Sequence, residues 1–152
     1  MSHHTATIDW HLQGDFASGK YQRTHEWQFD GGARVEASAS PSIVPTPLSN
    51  PACVDPEEAF IASLASCHML WFLHLASDDG WIVASYRDQA SGTLRRNDAG
   101  DLAFTDVTLN PHVTFTGEQP TGQALGDLHH KAHQKCFIAN SVKTQIHIQP
   151  QG

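Results

Sequence analysis

A chain of 152 residues with a 39% hydrophobic fraction fits a single domain, residues 1–152, that buries roughly two-thirds of its unfolded surface and needs no cross-links to hold a core. A formal charge of −7 without any long basic run argues against a nucleic-acid partner, and three cysteines, an odd number, argue against a disulfide framework and for a reducing compartment. The start, Met1 to Trp10, has neither the apolar core nor the cleavage pattern of a secretory signal, so the expected location is the cytoplasm.

From Thr5 to Leu12 apolar and polar residues alternate, which predicts a strand with Ile8, Trp10 and Leu12 on one face. Gly14 to Lys20 reads as a turn. Tyr21 to Phe29 and Arg34 to Ala39 then flank Asp30-Gly31-Gly32, a hairpin signal because glycine tolerates positive φ. The first forty residues thus predict a three-stranded antiparallel unit. Pro41, Pro45, Pro47 and Pro51 exclude helix from the following segment and favour extended backbone, leaving a long loop of the kind that often carries function.

The next stretch organises the chain. Asp55 suits an N-cap, Pro56 the first helical position, and Glu58 completes a capping box. The run from Ala59 to Ala76 is apolar on nearly all sides, which predicts a helix buried in most directions. The run is shorter than the roughly 20 apolar residues of a membrane span, and it carries Ser63, Ser66, Cys67, His68 and His74, so it reads as a core helix and not an anchor. Ser63, Cys67 and His74 share nearly one angular position, a narrow polar seam around a thiol.

Asp78-Asp79-Gly80 ends that helix, and Trp81 to Leu94 predicts one long strand. Turns at Asn97 to Gly100 and at Asn110-Pro111 separate strands at Leu102 to Leu109 and His112 to Phe115, giving a second antiparallel meander. Pro120-Thr121 opens a second helix whose stripe of Leu125, Leu128 and Ala132 leads to Cys136. Val142 to Ile148 closes the chain as a strand with Val142, Ile146 and Ile148 inward.

Both Cys67 and Cys136 lie on or beside a buried helix face, where a free cysteine is commonly a small hydrophobe. A reactive thiol needs its thiolate favoured by a helix N-terminus, a cation or a metal. Cys67 lies about three turns into its helix, beyond the reach of the dipole, so a cation from elsewhere must serve. Arg23 and Arg34 on the N-terminal hairpin are the candidates that precede it. His129, His133 and Cys136 stand at i, i+4 and i+7, the best metal-ligand spacing in the chain, yet with no fourth ligand, HExxH or CxxC beside them. Cys53, in the proline-rich loop, reads as a bystander.

Taken together, Val54-Asp55-Pro56-Glu57-Glu58-Ala59-Phe60 leading to Ser66-Cys67, and Ala132-His133-Gln134-Lys135-Cys136 before the last strand, resemble the OsmC/Ohr family of osmotically induced and organic hydroperoxide resistance proteins. The resemblance implies an α+β fold, two antiparallel sheets around central cysteine-bearing helices, in an intertwined homodimer with no membrane or nucleic-acid partner. It implies a thiol peroxidase without a bound cofactor. Cys67 would attack an organic hydroperoxide and become a sulfenic acid, Cys136 would condense with it to a disulfide, and a dithiol, in the family typically a lipoyl group, would restore both thiols. The family's acidic residue falls on Glu57 and its activating arginine best on Arg23, with Arg34 the fallback. In one straight helix Glu57 and Cys67 are about 15 Å apart along the axis, so a shared network requires a helix break or two subunits. Phe60, Trp71 and Phe72 are the expected walls of an apolar substrate site. Two further readings compete: an OsmC-fold protein that binds a small apolar ligand or partner without turnover, and a metal-binding protein using His129, His133 and Cys136.

Overall fold

The computed structural model describes residues 1–151. Its elements are those of an α+β protein with two long helices, and they fall into two compact units, Met1–Phe60 and the chain from Ile61 onward.

In the N-terminal unit, β1 (Thr7–Asp9), β4 (His25–Gln28) and β5 (Arg34–Ala37) form the predicted three-stranded antiparallel sheet, with Ile8, Trp27 and Val35 in register. Between β1 and β4 the predicted turn contains a small ladder of its own, β2 (Gly14–Asp15) against β3 (Lys20–Tyr21). Gly14 is required there: its φ is 108°, and a Cβ would sit 2.3 Å from the Lys20 carbonyl oxygen. Trp10, Phe16 and Tyr21 pack their rings on this hairpin, and the Trp10 indole N–H donates to the Gln22 carbonyl at 2.8 Å.

The proline-rich loop is a succession of turns and not the extended segment the prolines predict. Local hydrogen bonds outweigh the intrinsic preference. Ser49 Oγ donates to the Val44 carbonyl at 2.6 Å, the buried Ser38 hydroxyl accepts from Asn50 N–H at 3.0 Å, and Val54 bridges to Ala37 beside β5.

Helix α1 (Pro56–Asp78) begins where the sequence places it. Asp55 Oδ1 accepts the Glu58 N–H at 2.8 Å, and its carboxyl lies below the usual range because the side-chain and backbone hydrogen bonds from Glu57 and Glu58 outweigh the upward push of burial. Only Leu64, His68, Phe72 and Ala76, one i, i+4 stripe, are fully buried along α1. The expectation of burial on most sides is thereby corrected: within one chain α1 has a single covered face, and Leu70 is 60% exposed. By length and composition α1 is the one helix among the described residues long and apolar enough to cross a membrane, but its covered stripe packs on protein.

In the second unit the single strand predicted from Trp81 to Leu94 is two, β6 (Val83–Asp88) and β7 (Ser91–Arg96), in different sheets. β7 pairs antiparallel with β8 (Leu102–Leu109), and β6 pairs antiparallel with β9 (Pro111–Phe115). After α2 (Gly122–Lys135) and a short 3-10 turn, β10 (Gln145–Ile148) lies parallel to β8, whereas the other strand pairs among the described residues are antiparallel. The core joins Phe72 and Ala76 of α1 to Leu128 and Ala132 of α2, with Val83 and Tyr86 of β6 and Val113 and Phe115 of β9 packed around them. The two cysteine-bearing helices therefore meet face to face over one sheet.

Candidate active site

Cys67 is half-buried on α1, one residue before the deeply buried His68. Cys136 comes to it from α2. That helix starts at Thr121, whose hydroxyl accepts the Ala124 N–H at 3.1 Å, and it stops at Cys136, whose backbone leaves helical geometry at ψ 112° while its N–H donates to the His133 carbonyl. The chain then curls around the sulfur. Ala139 N–H donates to Cys136 Sγ at 3.5 Å, and Asn140 N–H to the Cys136 carbonyl at 3.0 Å.

The two thiols, both free, are near enough for Cys67 to act on the Cys136 thiol. Burial pushes the Cys136 thiol up to about 11; the Cys67 thiol adds to this, and the N–H groups of Ala139 and Ile138 offset only part of it. At neutral pH Cys136 is therefore a neutral thiol near Cys67, suited to completing a bond that Cys67 begins.

One residue along α1, a cross-helix contact follows. His68 Nε2 and His129 Nδ1 lie 3.0 Å apart, with the rings 4° from coplanar, so one imidazole donates end-on to the other. His129 also stacks on Phe72 with ring centroids 4.4 Å apart. Burial holds both rings neutral: His68 is lowered to about 3, helped by His129 and His133, and His129 to about 4. The outer atoms of the pair, His68 Nδ1 and His129 Nε2, are buried without partners, as is His133 Nδ1. The sequence reading singled out His129 and His133 only as metal ligands and assigned His68 nothing. Among the described residues no three His, Cys, Asp or Glu side chains gather as a metal-ligand group, and His129 Nδ1 is occupied by His68.

An apolar cleft of about 230 Å³ lies among Leu70, Trp71 and His74 of α1 and Phe137, the residue after Cys136. Trp71 and Phe137 meet edge to face at 5.4 Å, and Lys135 Nζ sits 5.5 Å over the Trp71 ring. Of the three expected wall residues, Trp71 lines this cleft. Phe72 does not, because it is wholly buried in the core; Phe137, which the sequence reading passed over, takes its place.

The other expected site residues belong to the N-terminal unit. Arg23 lays its guanidinium 3.5 Å over the Tyr21 ring and donates to the carbonyls of Gly19 and Tyr21 at 2.9 and 2.5 Å. Arg34 instead pairs with Glu26 at 2.9 Å on the surface of the sheet. Glu57, in the first turn of α1, keeps a buried carboxylate oxygen, Oε2, without a partner. Cys53 lines a separate polar cleft with Asp9, His11, His25, Glu26 and Glu36, and burial together with Glu36 raises its thiol, which fits a bystander.

The α+β fold that carries these two cysteines is shared with known proteins. The family model for OsmC-like protein matches residues 49–151, and the chain belongs to that family. An OsmC-like protein of unknown function from Vibrio cholerae superposes with a TM-score of 0.98 at 48% identity, covering 99% of this chain and 100% of the other. An organic hydroperoxide resistance protein from Legionella pneumophila, also described as a predicted redox protein, superposes at 0.67 with 16% identity over 99% and 97% of the two chains. The organic hydroperoxide resistance protein OhrB of Bacillus subtilis does so at 0.65 with 16% identity over 97% and 98%. At those identities the last two share the fold. Among curated proteins none matches the chain.

Proposed function

We propose that the protein is a two-cysteine thiol peroxidase that reduces organic hydroperoxides. The observation that carries this reading is that the Cys67 and Cys136 thiols, both free, are near enough to interact, the half-buried one reachable and the buried one held neutral. Cys67 thiolate attacks the outer peroxide oxygen, the O–O bond breaks, and the alkoxide leaves with a proton as the alcohol, which makes Cys67 a sulfenic acid. Cys136 sulfur then displaces hydroxide from Cys67, forming the disulfide and water. An external dithiol restores both thiols by exchange and becomes a disulfide itself. The cleft of Leu70, Trp71, His74 and Phe137, next in sequence to both cysteines, suits the organic group of the substrate.

Arg23 is assigned to favour the Cys67 thiolate and Glu57 to orient the arginine. α1 is unbroken from Pro56 to Asp78, which leaves the two-subunit arrangement: Arg23 and Glu57 of one chain serve the thiols of a second copy in a homodimer. Exposed Ile82 and Leu102 give such a dimer apolar surface to bury. An active monomer at assay concentration would rule the shared site out.

The experiment is non-reducing mass spectrometry after one equivalent of cumene hydroperoxide, with Cys67→Ser and Cys136→Ser as controls. Loss of two hydrogens and a mapped Cys67–Cys136 link are expected in the unaltered chain alone. Thiols that stay reduced would leave the fold with a ligand-binding role instead.

A further inference from the structure

Arg23 is held more firmly than its place in the chain requires. It lies between β3 and β4, outside both strands, yet its N–H donates to the Leu48 carbonyl at 2.9 Å and its carbonyl accepts from His25 Nδ1 at 2.7 Å. The Trp27 indole N–H donates to His25 Nε2, which leaves the His25 proton on Nδ1. The side chain is tied as well. Nη1 donates to the carbonyls of Gly19 and Tyr21, and the guanidinium lies 3.5 Å over the Tyr21 ring, itself stacked on Phe16 at 4.8 Å and met edge to face by Trp10. A planar guanidinium on an aromatic face is a favoured pairing, and it removes rotamer freedom that a loose arginine would lose only on meeting an anion. Phe16 is 59% and Trp10 38% exposed, so these three rings are not a buried core; what they hold is a cation. Arg23 is half-buried, and unlike Arg34, which pairs with Glu26, it has no carboxylate in ion-pair reach among the described residues, in a chain with 16 acidic residues. Both side-chain hydrogen bonds use Nη1, which leaves the N–H groups of Nη2 and Nε to be shared with an anion. A half-buried cation fixed in place without a counter-ion calls for one from elsewhere.

We propose that Tyr21, backed by Phe16, is the positioning residue for Arg23: its ring holds the guanidinium by the face, so that the Nη2–Nε edge is presented to the Cys67 thiolate of the second copy. Tyr21 acts here only through Arg23, so its role rests on the peroxidase reading above and deepens it. Arg23 reaches the thiolate already oriented, and the long side chain is ordered when the hairpin folds and not when the reaction begins. The exposed rings thereby have a task that a staple between the Gly19 and Tyr21 carbonyls does not explain.

The test is alkylation of Cys67 by iodoacetamide in the full chain between about pH 6 and 10, resolved by peptide mass, for Tyr21→Leu, Tyr21→Phe, Arg23→Gln and the combined Tyr21→Leu, Arg23→Gln variant. Near pH 7 Arg23→Gln should slow the reaction at least ~10-fold and Tyr21→Leu about 5- to 10-fold, and both losses should vanish near pH 10, where a thiol ionises unaided. Tyr21→Phe keeps the ring face and should restore the original rate within about twofold. In the Arg23→Gln background Tyr21→Leu should cost nothing further, because a residue that acts through another has no effect once that other is gone. A ring with a merely structural role would slow both backgrounds equally and at every pH; that result, or Tyr21→Leu within about twofold of the original, overturns the proposal. Should Tyr21→Leu not fold, Phe16→Leu, at an exposed position, replaces it, with about 3-fold slowing expected and an unchanged rate overturning the proposal. If Arg23→Gln itself leaves Cys67 as reactive as before, the assignment of Arg23 falls and the platform with it. Failure of the peroxidase reading is seen separately, as thiols in the unaltered protein that cumene hydroperoxide does not touch.

Discussion

His68 Nε2 and His129 Nδ1 meet at 3.0 Å in the buried interface of α1 and α2, and neither ring is charged there at neutral pH. Folding therefore excludes protons that the unfolded chain binds. Both imidazoles lie below their ordinary 6.5, at about 3 and about 4, so the stability their neutral burial permits is complete above pH 6.5 and is lost as pH falls toward those values. The loss approaches ~1.4 kcal/mol per pH unit for each ring. Asp88, raised by burial, acts in the opposite sense at the acid end. Urea unfolding at about pH 7 and pH 5 should show a lower midpoint at pH 5, and His68→Leu should flatten the difference. A midpoint that does not move would contradict the neutral pair.

The cleft beside the thiols should set substrate preference. Phe137 is 65% exposed, so its truncation costs little stability while removing apolar contact from a bound hydroperoxide. Phe137→Ala and Leu70→Ser are each expected to raise KM for cumene hydroperoxide about 5- to 20-fold, with kcat nearly unchanged and hydrogen peroxide turnover unaffected. Equal effects on both peroxides would place the organic group elsewhere.

Asp55 should be worth its position as a cap. It accepts the Glu58 N–H at 2.8 Å and is itself buried. Asp55→Ala should cost about 1 kcal/mol, within a range of roughly 0.5–2, and Asp55→Asn should recover most of it, read as shifts in the denaturant midpoint at constant slope.

These features differ in how openly the sequence carries them. The cap residues of α1 and the Asp30-Gly31-Gly32 hairpin are local chemistry, and both elements form where the residues point. The division of Trp81 to Leu94 into β6 and β7 has no glycine or proline at Gln89 and Ala90 to announce it. Gly92 was the available signal: a Cβ there would meet Phe104 and Val107 at 3.1 Å, so the strand must approach its neighbours closely. The parallel pairing of β10 with β8 was not legible, because alternation identifies a strand and not its partner. The buried stripe of α1 was equally hidden. A helix apolar on all sides does not show which face is covered, so His68 looked like an interruption, and its partner His129 comes from a different helix. The pairing of the cysteines was an expectation of resemblance, and the structure adds that Cys67 is one of the groups raising the Cys136 thiol.

The most direct measurement is the rate at which Cys67 is consumed, followed by stopped-flow fluorescence of the tryptophans, Trp71 being one turn away, against cumene hydroperoxide and hydrogen peroxide. The peroxidase reading predicts a second-order rate at least ~100-fold higher for the organic peroxide, abolished in Cys67→Ser and retained for the first step in Cys136→Ser. Equal, slow rates with both peroxides, or a signal that survives Cys67→Ser, would contradict it.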